Sequence, residues 1–167
     1  DANIIIAGGQ ESMTNCDKNV MLKDGLIDVY KNYHMGVTAE NVAEKFRITR
    51  EKQDIFALDS QMKTQIAINA NKFDEEIVPI YQNGKIIKKD EHPRNNLNIS
   101  DLEKLKTVFK ENGTVTPGNS SGINDGSAAL LLMTQDEAEK KSIEPLAKIT
   151  SWASVGVEPS LMGLGPI

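Results

Sequence analysis

Few side chains in this sequence could carry covalent chemistry, and their surroundings narrow them further. The single thiol, Cys16, sits in the polar run N-C-D-K-N. Asp17 and Lys18 roughly offset each other beside it, so nothing local favours the thiolate that a nucleophile needs. Cys16 reads as an inert loop cysteine. His34 and His92 are far apart and form no H-x-x-x-H pair, so no metal site is expected. Neither a G-x-S-x-G elbow nor a P-loop occurs, and Gly8-Gly9 reads as a tight turn after a strand. Binding chemistry is better represented. Residues 114–126, T-V-T-P-G-N-S-S-G-I-N-D-G, pack three glycines, two asparagines and two serines into one stretch ahead of a short apolar run. Such residues shape a loop through positive φ and local side-chain hydrogen bonds, and loops fixed by a strand are where ligands bind. A hairpin or strand–helix corner without a ligand is the competing reading. Lys85, Lys88, Lys89 and Arg94 make a basic stretch that suits either a solvated strand face or a phosphate-bearing ligand. Tyr33-His34-Met35-Gly36 joins a titratable donor to a flexible thioether, with core packing as the plain alternative.

The elements that must position these groups come from an ordinary globular composition. The 167 residues are 39% hydrophobic and 26% charged, enough for one domain with a real core. A net charge of −5 gives no footprint for nucleic acid. One cysteine excludes an internal disulfide framework and fits a reducing, cytoplasmic setting. No apolar stretch approaches the ~18 residues of a membrane span, so no membrane partner is expected. Both ends read as cut. The first residues run straight into a strand and the last stop in G-L-G-P-I, as expected of an internal fragment.

Periodicity places strands at residues 4–7 and 128–133, both expected to be buried. Residues 14–24 read as loop, and 25–33 carry helix-like spacing in Leu26, Val29, Tyr30 and Tyr33. Thr38 is expected to cap a helix over 39–46, and Thr49 a longer one over about 50–71. The second carries an apolar stripe, Ile55, Leu58, Met62, Ile66 and Ala70, expected to face the core. Its first turns hold Glu51 and Asp54, where the helix dipole favours anions. Asn83-Gly84 predicts a hairpin between 77–80 and 85–88. Capping boxes are predicted at Ser100/Glu103 and Thr134/Glu137, and a strand over 146–155 anchored by Ile149, Trp152 and Val155. Strands alternating with helices argue α/β.

Several motifs together carry the chain further. A-G-G-Q-E-S-M (7–13), D-G-L-I-D (24–28), Y-H-M-G-V-T-A-E-N-V-A-E-K-F (33–46) and T-R-E-K-Q-D-I-F-A-L-D-S-Q (49–61) resemble the thiolase family. So do F-D-E-E-I-V-P (73–79), G-T-V-T-P-G-N-S-S-G-I-N-D-G (113–126) and S-W-A-S-V-G-V-E-P-S-L-M-G-L-G-P (151–166), all in family order. The likeness is greatest to its short-chain, acetyl-CoA acetyltransferase type. It implies a layered αβαβα fold, here incomplete, with an inserted α+β loop domain. Residues 1–13 would end the N-terminal core half, 14–112 form the CoA-binding loop domain, 113–144 give the last strand and helix of that half, and 145–167 begin the C-terminal half.

The resemblance also implies roles. Such enzymes condense two acetyl-CoA to acetoacetyl-CoA or cleave it, with a cysteine taking the acyl group, a second cysteine moving the α-proton, and a histidine and asparagine assisting. None of these matches a residue here, and Cys16 lacks the C-G-S-G context of the nucleophile. The chain alone is therefore expected to be inactive, with CoA thioester as substrate and no cofactor. Ser121 resembles the serine that bonds a pantetheine amide, with Pro117 and Ile123 beside it. Leu26, His34 and Met35 resemble the opposite wall. Met35, Phe109 and Met162 resemble the residues shaping the acyl pocket, and Arg94 an arginine near the adenine. A non-catalytic CoA-binding protein is the alternative, and an interaction module using the 50–71 helix a third reading. Two departures stand out. Segments 15–20 and 81–89 are short, the first where a loop joins dimers into tetramers, which leaves a homodimer or homotetramer open. Gln61 replaces the tyrosine of the potassium-activated type, so no potassium site is expected.

Overall fold

A computed structural model describes residues 2–167. The chain divides into two compact units. One holds the chain as far as Gly25 together with Ile123–Gly156, and the other holds Leu26–Gly122 with Val157–Ile167.

The first unit is built on strands β1 (Ile4–Glu11) and β4 (Gly126–Met133), antiparallel along their full length from Ile4 opposite Met133 to Glu11 opposite Gly126. Gly8-Gly9 is not a turn. The strand runs straight through both glycines, which pair with Ala129 and Ala128. A Cβ on Gly8 would run into the carbonyl of Ala128, so this stretch of the ladder needs the small residues that face each other there. Neither strand is buried as expected. Ile6 and Leu130 are 78% and 66% exposed, because among the described residues this sheet has two strands and uncovered faces. Residues 14–24 are not simply loop: Asp17 caps a helical turn, α1 (Lys18–Met21), by accepting from the amides of Asn19 and Val20, and a π turn (Leu22–Leu26) follows. After β4, Thr134 caps α5 (Gln135–Lys140) by accepting from Glu137 N–H, while the reciprocal half of the expected box is absent, because Thr134 N–H donates to Asn3 O. The strand expected over 146–155 does not form. Ile149, Trp152 and Val155 are exposed, and that segment has no partner strand among the described residues.

The second unit is organised by two helices. Past the end of the π turn at Leu26, the helix expected over 25–33 does not form, because the carboxylate of Asp28 accepts from the amides of Tyr30 and Lys31 and folds the segment into a turn. Asn32 takes a left-handed φ of 55°, and Ile27 bridges to His34. Local capping by Asp outweighs the apolar spacing here. Helix α2 (Met35–Phe46) starts earlier than expected, with His34 as its cap, while Thr38 sits inside and donates to the carbonyl of Met35. Helix α3 (Arg50–Asn69) begins at Thr49 as expected. Its stripe does not face a core: Ile55, Met62 and Ile66 are exposed, and the buried residue of this helix is Asp54. The hairpin forms around Asn83 and Gly84, both at positive φ, with short strands β2 (Ile80–Gln82) and β3 (Lys85–Ile87). Helix α4 (Ile99–Glu103) is boxed by Asn98 and Asp101 rather than Ser100 and Glu103, and packs Leu102 fully inside against α3. A 3-10 helix (Pro159–Leu164) packs on α2. Among the described residues, no helix is long and apolar enough to cross a membrane.

One acid-side prediction comes from the first unit. Thr14 N–H donates to the Asp125 carboxylate at 2.8 Å. That backbone bond, helped by the Thr14 side chain and Met13 N–H, holds the carboxyl below its ordinary value. A carboxyl lowered in the folded state stabilises the tether above its unfolded value, and the gain is lost as pH falls through the lowered folded one. The Thr14 amide resonance should therefore shift in the acid range below the usual Asp titration. In Asp125→Asn that shift should vanish.

Candidate functional site

The glycine- and serine-rich loop is held inside the second unit by two carboxylates, one from each long helix. Glu40, near the middle of α2, is 3% exposed. Thr114 N–H donates to both its oxygens at 2.8 and 2.9 Å, Thr114 Oγ1 to Oε2 at 2.9 Å, and Val115 N–H to Oε1 at 2.7 Å. Asp54, on the first turns of α3, is 1% exposed. Arg50 Nε donates to it at 2.7 Å and Asn119 Nδ2 at 2.9 Å. Asn119 also donates to Thr114 O and accepts from Thr116 N–H, so its amide ties the loop to itself as well as to the helix. Gln53 Nε2 completes the frame by donating to Thr114 Oγ1 at 2.8 Å. Buried charges are tolerated only when hydrogen-bonded in this way, and each such bond is worth about 1.5–3 kcal/mol.

The loop's close packing needs its glycines. A Cβ on Gly113 would enter the Glu40 carboxylate, and one on Gly118 would enter Leu102 and Leu105. Beyond the clamp, Ser120 Oγ donates to Thr116 O at 2.7 Å, which turns the chain outward. Ser121 follows, exposed, with no hydrogen bond to its hydroxyl among the described residues. Pro117 is also exposed on this loop. Ile123, expected beside them, belongs to the other unit and lies exposed ahead of β4.

A second cluster forms at the start of α2. His34 Nδ1 accepts from Gly36 N–H at 2.9 Å, which caps the helix and leaves the ring proton of the neutral form on Nε2. The ring stacks on Phe109 at 4.6 Å between centroids, 20° from parallel. Phe109 in turn lies directly over Gly36, where a Cβ would occupy the ring. Residues 106–112 wrap an open cup of about 480 Å³ that includes Phe109. Lys110, from the same segment, pairs with Glu44 of α2 at 2.7 Å. The hydrogen bond and charge of each hold the Glu44 carboxyl low and the Lys110 ammonium high, and both face solvent, where such pairs contribute little. Met35 is the first residue of α2 and Leu26 the last of the π turn, both half-buried. Met162 rides on the 3-10 helix that packs against α2, where Asn41 Nδ2 donates to Ser160 O at 3.0 Å. Arg94 stands apart. Its backbone N–H donates to Gln61 at 2.9 Å, and it lines a groove of about 260 Å³ along α3 with Leu58, Met62 and Gln65.

His34 and Phe109, both named through the family resemblance, therefore meet. Pro117 and Ser121 share a loop, and the helix bearing Met162 reaches α2. Glu40, Gln53, Asp54 and Asn119 were not singled out as site residues. Asp54 was assigned to the helix dipole, whereas it is a buried partner of Arg50 and Asn119.

Comparison with known proteins decides the ancestry of this arrangement. The thiolase N-terminal domain family matches residues 15–136. The chain belongs to the thiolase family. An acetyl-CoA acetyltransferase of Rhizobium meliloti is 46% identical over all of this chain and 48% of its own length. A cytosolic acetyl-CoA acetyltransferase of Rattus norvegicus is 43% identical with the same coverage of both chains. This thiolase chain thus spans about half the length of the curated relatives it matches. The first alignment runs over 187 positions against 167 residues, so about 20 positions of the relative have no counterpart here. Among solved structures, the acetyl-CoA acetyltransferase from Syntrophomonas wolfei superposes with a TM-score of 0.90 at 39% identity, covering 98% of this chain and 46% of that one. Human mitochondrial 3-ketoacyl-CoA thiolase, solved in complex with CoA, gives 0.89 at 36% identity with the same coverage. The fold is accordingly α/β and thiolase-like, present here as a part of that fold.

Gly36→Ala should drive the new methyl into Phe109, separate it from His34 and destabilise this unit by about 1–3 kcal/mol, the usual cost of overpacking. Thermal unfolding measures the loss, and the shifted Phe109 ring resonances locate it.

Proposed function

We propose that this chain supplies the coenzyme A-binding part of an acetyl-CoA C-acetyltransferase, which condenses two acetyl-CoA to acetoacetyl-CoA and CoA or runs the reverse thiolysis. The observation that carries this reading is the collinear match of the whole chain to acetyl-CoA acetyltransferases at up to 46% identity. The site geometry supports it. A loop locked at residues 114–116 presents an unengaged Ser121 hydroxyl, which can donate to or accept from a pantetheine amide. Pro117 lines the same arm. His34, with its Nε2–H left as a donor, joins Leu26 and Met35 on the facing wall. Met35, Phe109 and Met162 limit the acyl pocket to short chains, and Arg94 meets the adenine end.

In this reading the bonds are made elsewhere. A cysteine thiolate attacks the thioester of one acetyl-CoA, and the departing CoA thiolate takes a proton from a second group. That group, now a base, regains a proton from the α-carbon of another acetyl-CoA, whose carbanion attacks the acyl-enzyme and displaces the enzyme thiolate to give acetoacetyl-CoA. No residue of this chain matches those groups, so these residues alone bind substrate and do not turn it over. CoA thioester is the substrate and no cofactor is required. The full-length protein works in the cytoplasm as a homodimer or homotetramer.

Ser121→Ala in the full-length enzyme should raise KM for acetyl-CoA about fivefold, since one hydrogen bond to bound ligand is worth on the order of 1 kcal/mol. The rate at saturation should change little. Condensation kinetics give both numbers, and an unaltered KM removes Ser121 from the site.

A further inference from the structure

We propose that Glu40 is a positioning residue: it sets the placement of the Ser121 loop relative to His34, and so governs how tightly the coenzyme A arm is held. The proposal rests on the function given above. Its basis is the unusual concentration of donors on one carboxylate. Thr114 N–H, Thr114 Oγ1–H and Val115 N–H all converge on Glu40, at 2.7 to 2.9 Å, and no cation pairs with it among the described residues. A helix that merely needed a polar residue at this position would not bury its carboxylate against a loop more than seventy residues away.

The geometry gives that contact a purpose. Glu40 and His34 lie on one helix. His34 is the cap of α2, and Glu40 is six residues on, about 9 Å along the axis at 1.5 Å per residue. The helix is fixed at both ends, by the His34 cap and by Arg47 in a left-handed turn at φ 53°. A rigid segment therefore carries the proposed donor of one wall at its start and the anchor of the other wall at its middle. The loop runs from Thr114, in the Glu40 clamp, through the fully buried Thr116 to Ser121 in five further residues. A shift at Thr114 is passed along a tightly bonded chain, with Asn119 and Ser120 both bonded back to it or to Thr116.

Glu40→Gln keeps the shape but puts an amide NH2 in place of one carboxylate oxygen; Thr114 N–H donates to both oxygens, so in either orientation at least that bond becomes a repulsion. In the full-length enzyme we expect KM for acetyl-CoA to rise about five- to tenfold with kcat within about twofold, as for loss of ground-state and transition-state binding alike. Ser121→Ala added to Glu40→Gln should then give little further rise, because a displaced hydroxyl no longer reaches its partner; such coupling is what a double-mutant cycle measures. Thr114→Val, which removes one donor to Glu40, is the milder second variant if Glu40→Gln does not fold. It should raise KM about two- to threefold and show the same non-additivity. A lower Tm with unchanged KM, or a full additional Ser121 effect in either background, overturns the proposal and makes Glu40 purely structural. Ser121→Ala that is silent in the otherwise unaltered enzyme overturns the functional reading itself, a distinct result.

Discussion

The second unit depends on satisfying two carboxylates that have been taken out of water. An uncompensated buried carboxylate costs several kcal/mol, so Glu40 and Asp54 can stay inside only while their donors are in place. All the donors to Glu40, and one of the two to Asp54, come from residues 114–119. The dependence therefore runs both ways: the helices hold the loop, and the loop makes the helices' buried charges tolerable. The two anchors are not alike. Asp54 shares its charge with Arg50, which also reaches the carbonyl of Leu102 and so draws α4 into the same network. Glu40 is met by uncharged donors, as a bound anion is met by a nest of amides.

How much of this was legible in the sequence divides along the physics. Hairpin and cap signals worked wherever one residue's chemistry decides the outcome, as at Asn83-Gly84, Thr49 and Thr134. They failed where two polar side chains competed for the same role. Thr38 lost the helix cap to His34, and Ser100 lost it to Asn98, because either side chain can reach an amide and tertiary context chooses. Apolar periodicity misled in another way. The stripe of α3 and the strands β1 and β4 have the pattern of buried elements, yet Ile55, Ile66, Ile6 and Leu130 are exposed. Periodicity reports which face is apolar, and says nothing about what covers it.

The site itself was legible through family likeness more than through chemistry. His34 and Phe109 were paired with the same ligand on likeness alone, and their stacking is an independent physical link between them. Glu40 was invisible for a clear reason: a glutamate in T-A-E-N-V on an amphipathic helix is indistinguishable from a solvated one. Two of its three donors are backbone amides, which leave no mark in residue identity, and the third is an ordinary threonine hydroxyl; only the glycine at 113, which gives the carboxylate room, is a trace.

The uncovered ladder of β1 and β4 bears on where the stability of the first unit must come from. A lone two-stranded pair is marginal in water, because each backbone bond formed replaces one to solvent and neither face gains much burial. Ile4, Ile5 and Ile6 opposite Met133, Leu132 and Leu131 give good cross-strand contacts, each worth a fraction of a kcal/mol, against a backbone entropy cost of about 1–2 kcal/mol per residue ordered. Contacts across the pair cannot balance that cost. Burial of the apolar side chains against further structure can, at about 25 cal/mol for each Å² removed from water. The second unit differs because its anchoring interactions are internal: Leu102, Val115, Thr116, Glu40 and Asp54 are already buried by their own neighbours. The order that supports the loop is thus local to the helices that grip it, whereas the order of the ladder must be supplied from outside the two strands.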